Sequence, residues 1–411
     1  ETLFLNVLGD KWLDEAFFSA GAAGIISTAI FVYLQRKINF SSLVISTTFI
    51  ILLFIGGIRA AFEFVGYDNS ISGEFQLLPF ILFVMIGPIT SIIILGFWGV
   101  FGRVFDLRQS KRIIGGIDTG QLMATMIAFF SIPLLNNIID QTYDLLFVSA
   151  IASLGVFIFT LLLSVRFNLD RVTKVAKGED VEKVNFLSLF KNKYLRLLCV
   201  FLIFSMGAAK FVDYTFLSST ETMYPDEKDL ANFLSIFSGI VIVFSFLIQS
   251  FVNDIIIGKF GLKVALMTMP LILILFTVGA IIVGHIFGYE EKTNEYILFF
   301  VLTAVGKLFI TSLKDALENP AFKLFFLPID IKIRFDIQTR IEGVVNEVAV
   351  FIAGAAQMAL GLLVFFKLIH YSYFILALAA GVIYLASKLF EEYKNTLKAT
   401  LEKKKAELQG N

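Results

Sequence analysis

Eleven stretches of about twenty mostly apolar residues, separated by short polar loops, limit what this chain can fold into. In hydrocarbon every backbone N–H and C=O must be satisfied within the segment, so such runs are read as membrane-spanning helices. They lie at roughly 16–35, 42–63, 75–100, 112–133, 143–166, 194–217, 229–250, 262–287, 294–318, 340–366 and 371–388. With 57% hydrophobic residues and a mean hydropathy of +0.83 over 411 residues, an all-α polytopic membrane protein is expected.

The loops alternate in charge. QRK (35–37), GRVFDLRQSKR (102–112), the 166–196 segment, NDIIIGKFGLK (253–263), the 314–340 segment and the tail from Lys388 are basic. EFVGYDNSISGE (63–74), NNIIDQTYD (136–144), SSTETMYPDEKD (218–229) and GYEEKTNE (288–295) are poor in lysine and arginine. The positive-inside rule puts the basic set, and with it the C-terminus, in the cytoplasm, and residues before the first span outside. An external start without a signal-peptide pattern implies one more helix upstream of Glu1, twelve in all. An internal echo agrees: ETLFL (1–5) and DYTFL (213–217) each precede a further span. The expected architecture is major-facilitator-like, with two pseudo-symmetric six-helix bundles. Residues 1–166 form the first, 167–193 a cytoplasmic central loop and 194–390 the second. Residues 391–411 read as a charged juxtamembrane helix, with a cytoplasmic soluble domain after Asn411 as a candidate partner.

Ionisable residues within spans are candidate functional positions, because lipid-facing charge is costly. At 100° per residue, Thr303, Lys307, Thr311, Lys314 and Glu318 share an arc of about 80°. Lys314 and Glu318, near the span's end, read as interfacial. Glu342, Asn346, Ala349, Ala353 and Gln357 share another arc of about 80°. Gly343, Glu347, Gly354 and Gly361 form a small-residue face suited to close helix packing. Asp118 lies with Gln121 and Thr125. Lys210–Asp213 and Arg59–Glu63 stand one turn apart, as structural ion pairs or as gating groups. The expected solute-binding set is Lys307, Thr303, Thr311, Glu342, Asn346, Gln357 and Lys210. The expected gating or proton-coupling set is Asp118, Glu347, Asp213, Arg59 and Glu63.

Other function classes lack their residues. His285 and His370 are isolated, Cys199 is the single cysteine, and no nucleophile–base set, metal cluster or phosphate-binding glycine loop occurs. No enzyme, cofactor, metal or nucleic-acid partner is expected; the partners are the bilayer and a small solute.

The segment ENPAFKLFFLPID (318–330) resembles the signature before the eleventh helix of the ATP/ADP antiporter family of nucleotide transporters. Asn319-Pro320 and Leu327-Pro328-Ile329-Asp330 match its pattern. ILGFWGVFGRVFDLRQSKRIIGGI (94–117) is similar to the family's helix 4–5 connection, and ETLFLNVLG to the end of its first helix. The resemblance makes Arg334 and Glu342 equivalents of the family's basic and acidic residues ahead of helix 11. The family's threonine, lysine and glutamate after the proline are Ala321, Phe322 and Lys323 here. The resemblance implies a secondary transporter of a nucleotide or another organic anion, in a bacterial inner membrane, working by alternating access. A membrane sensor coupled to a cytoplasmic regulatory domain, and a proton-coupled symporter of another solute, are the alternatives.

Overall fold

The computed structural model describes residues 1–65, 74–105, 107–167, 169–170, 192–288, 296–329, 334, 337–338, 340–363 and 366–409, with the side chains of 36, 107–116, 118 and 403–409 excepted. The first helices are α1 (Thr2–Leu8), α2 (Leu13–Lys37), α3 (Phe40–Val65), α4 (Leu77–Val104), α5 (Leu107–Leu135) and α6 (Leu145–Arg166). Then come α7 (Lys193–Met223), α8 (Glu227–Leu247), α9 (Gly261–Phe287), α10 (Tyr296–Leu313), α11 (Asn346–Gly361) and α12 (Leu368–Gln409). No strand occurs among the described residues. Each expected span coincides with one of α2 to α12. Nine helical stretches among the described residues are long and apolar enough to cross a membrane; one, Glu227–Phe287, contains both α8 and α9. The described part of α5 adds a shorter apolar helix, Thr119–Leu135.

The helices are not uniformly α. Four π turns, closed by i→i+5 bonds, occur among the described residues: Ile248–Val252, Ile256–Phe260, Lys314–Glu318 and Ile341–Val345. The third carries α10 into a six-residue helix, Asn319–Leu324, with Pro320 in its first turn, where its missing N–H costs nothing. The fourth opens α11.

The chain divides into two compact units. Glu1–Val181 with Glu221–Ile240 form one. In it α2 packs on α4 and α3 on α6. Phe4 of α1 and Phe17 of α2 meet Phe83 of α4 at ring distances of 4.5 and 5.6 Å. Gly99 of α4 leaves room for the Phe40 ring, which a Cβ there would overlap, and the Arg103 guanidinium lies 3.6 Å from that ring's centre. Asn136 Nδ2 donates to Asn232 Oδ1 at 2.8 Å.

Glu182–Thr220 with Val241–Asn411 form the other unit. Here α9 packs against α10 and α12. Helix α7 is buried along much of its length, from Tyr194 through Leu198, Phe201 and Ser205 to Thr215. Gly381 of α12 admits the Phe204 ring of α7, whose Cδ1 would sit 2.8 Å from an added Cβ. With 42 residues, α12 is about 63 Å long, twice the hydrocarbon thickness. Its last part packs on the α10–α11 connection. Tyr393 meets Phe325 at 4.9 Å and Thr400 Oγ1 donates to the Pro328 carbonyl at 3.2 Å. Glu392 pairs with Lys193 at 2.7 Å.

Candidate functional site

Helices α7, α10 and α11 enclose a cavity of about 440 Å³ within the second unit. Four lysines line it, Lys210, Lys307, Lys314 and Lys323, with three carboxylates, Asp213, Asp315 and Glu342. Thr311, Asn319 and Asn346 add neutral polar groups; Leu202, Met206 and Phe322 give an apolar wall.

Each helix places its charges by its period. Lys210 and Asp213, three residues apart, face the same way on α7, and their ion pair is 2.9 Å. The other oxygen of Asp213 pairs with Lys307 of α10. One carboxylate thus neutralises two ammonium groups on two helices, all three about four-fifths buried. Charge-assisted pairs of this kind are strong in a desolvated setting, yet each charge depends on its partner.

Beyond Thr311 the π turn alters the expected stripe. Its wider turn brings both Lys314 and Asp315 to the cavity and sends Glu318 behind Lys314. The Lys314 and Glu318 residues are not interfacial but buried, at 8% and 2% exposure. They pair at 2.8 Å, and Ser205 of α7 bonds to both. On α11 the second π turn presents Glu342, which accepts a bond from Gln338 Nε2 at 3.1 Å and feels the charge of Lys323. Asn346 follows one turn on.

Several expected site residues lie elsewhere. Thr303 is outside this cavity; its hydroxyl bonds to the Phe299 carbonyl, and it lines a separate small cavity with Thr215, Thr277 and Ser372. That level of α10 packs against α9 and α12, with Gly306 close to Phe276. Gln357 is fully buried and donates to the Lys210 carbonyl at 2.9 Å, so it ties α11 to α7 instead of lining the cavity. Glu347 is buried, but Gly343 is not closely packed, since a Cβ there meets nothing within 4 Å. Arg59 and Glu63 belong to the first unit. Arg59 pairs with Glu63 at 2.9 Å and Asp144 at 2.6 Å, and its guanidinium lies 4.9 Å from the Tyr143 ring centre and 4.2 Å from that of Phe147. The side chain of Asp118 and residue Asp330 lie outside the described residues. Asp315, Asn319 and Lys323 were not singled out as site residues. The signal for them was the signature segment itself, which begins where the π turn ends.

Fold and cavity together define the class: a helical membrane protein with the fold of major facilitator transporters. The chain superposes on a mutant form of the nucleoside transporter NupG with a TM-score of 0.64 and 14% identity, covering 95% of each chain. It superposes on a bacterial homologue of the iron transporter ferroportin, in an inward-facing state, with a TM-score of 0.57 and 14% identity, covering 95% and 94%. In sequence it is similar to ADP,ATP carrier protein 1 of Chlamydia pneumoniae, 28% identical over 173 residues. That match covers 40% of this chain, and the chain spans about a third of the length of the relative (34%). No family model matches the sequence.

Proposed function

We propose that this chain is a secondary active transporter of a phosphate-bearing organic anion, a nucleotide foremost, working by alternating access. The observation that carries this reading is the pairing of Lys210 and Lys307 with one carboxylate, Asp213, in a cavity lined by two further lysines. An incoming phosphate can take over either ammonium with charge-assisted hydrogen bonds, while Leu202, Met206 and Phe322 accept the apolar part of the solute. The volume suits a small molecule of that size. The partial similarity to a protein named an ADP,ATP carrier points the same way.

In this reading Lys307 and Lys210 contact the anion, with Thr311, Asn346 and Glu342 shaping the cavity around it. Asp213 acts as the internal counter-ion that the solute displaces. Asp118, Glu347, Arg59 and Glu63 serve as gating groups. Residues 1–166 and 194–390 are the two transporter halves around the 167–193 loop, and 391–411 is the juxtamembrane helix. The basic loops put the C-terminus in the cytoplasm of a bacterial inner membrane.

Radiolabelled ADP uptake into proteoliposomes, with adenosine and inorganic phosphate as competitors, tests this. Losing a charge-assisted contact is worth about 1.5–3 kcal/mol, so Lys307→Ala weakens ADP binding about 10- to 100-fold. Uptake by Lys307→Ala equal to the parent's removes the lysine from the mechanism. Lack of ADP uptake by the parent removes nucleotide transport.

A further inference from the structure

Behind the lysines sits a carboxylate that anion binding does not use. Glu318 is 2% exposed and does not line the cavity. Its Oε1 accepts bonds from the Ser205 hydroxyl and the Lys314 ammonium. Its Oε2 is buried and has no hydrogen-bond partner among the described residues. Among those residues Lys314 is its one ion-pair partner, whereas Asp213 has two. Lys314 also lines the cavity, so the ammonium that neutralises Glu318 is one a solute anion can reach.

We infer that Glu318 is a proton-binding site coupled to the solute: when Lys314 turns to the anion, Glu318 takes a proton on its open oxygen, and the anion and a proton cross together. The step rests on the anion-transport reading. A carboxylate stripped of its partner in a dry interior is strongly destabilised, and neutralisation by a proton is the usual escape. One O–H bond forms at Oε2, with the proton drawn from water, and the loaded site carries one negative charge fewer than anion binding alone would leave. Ser205 keeps its contact with Oε1 throughout.

The other charges around this turn leave Lys314 in that role. On the same turn stands Asp315, which faces the cavity, and Lys323 follows in the next short helix. Helix α9 and the π turn Ile248–Val252 pack against it. The latter has no ionisable residue, and the ionisable residues of α9, Lys263 and His285, stand near its two ends. On α7, Lys210 and Asp213 pair with each other, Asp213 also pairs with Lys307, and Arg196 is exposed.

The test uses the full chain in nucleotide-free proteoliposomes with a trapped pH dye and the membrane voltage clamped. ADP uptake should acidify the interior, and an inward proton gradient should speed it severalfold. Glu318→Gln, which keeps the bond to Ser205, should still take up ADP without acidification and without response to the gradient. Acidification that persists in Glu318→Gln, or parent uptake with no proton movement, overturns the coupling. A parent that takes up no ADP removes the transport reading, and the coupling with it. Should the variant not fold, labelling of the parent by an apolar carbodiimide, mapped by mass spectrometry, decides. ADP should raise modification at Glu318, and labelling that ADP leaves unchanged overturns the proposal.

Discussion

Lys307 of α10 is tied to Asp213 of α7, and that carboxylate is already shared with Lys210 one turn earlier. Asp213→Asn therefore leaves two ammonium groups facing each other. Breaking a buried pair by removing one partner costs about 3 kcal/mol or more, and this site is about four-fifths buried. The melting temperature in detergent should fall. Added ADP should recover more of it than it adds to the parent, because the anion then supplies the missing charge. An equal ADP shift in both proteins would contradict the role of Asp213 as displaced counter-ion.

Gln357 should matter little for the solute. Its amide bonds to the Lys210 carbonyl, but its Oε1 is buried without a partner among the described residues. Gln357→Leu loses one neutral hydrogen bond, about 1 kcal/mol, and relieves a buried unsatisfied oxygen, so the two nearly cancel. ADP uptake and melting temperature should stay near parent values.

Two glycines separate close packing from mere composition. At Gly381 any Cβ runs into the Phe204 ring, so Gly381→Leu should cost about 1–3 kcal/mol through overpacking. At Gly343 nothing lies within 4 Å, and Gly343→Ala should be neutral or stabilise by up to about 1 kcal/mol. Denaturation midpoints of the two variants check the contrast.

Arg59 should not tolerate lysine. Separate guanidinium nitrogens reach Glu63 and Asp144 while the planar group faces Tyr143 and Phe147. An ammonium can meet one acid but not this fork and its rings together. Arg59→Lys should lower stability by about 2 kcal/mol, the value of a charge-assisted bond, and thermal melting reads it directly.

The spans were legible because a twenty-residue apolar run has one solution in lipid, so α2 to α12 fell where hydropathy put them. Lys307, Thr311, Glu342 and Asn346 come together around one cavity because they project from inward-facing polar stripes. What a uniform 100° rotation could not give was the π turn at Lys314–Glu318. No propensity marks an i→i+5 turn, and without it Lys314 and Glu318 look like the polar end of a span. With it the helix runs on to Leu324, and both charges move inside the protein. Thr303 escaped for another reason: its polarity is spent within its own helix, on the Phe299 carbonyl.

The π turns also fix a geometric relation between the two ends of the helices that carry them. A turn with one residue too many has one tighter alternative, and adopting it swings everything beyond by about 100° and shortens nothing else. In α10 the swing point lies between Thr311 and Asn319, and in α11 it lies at Glu342. Both helices can therefore act as ratchets, trading which cavity side chains point at a bound solute while their apolar halves keep their grip.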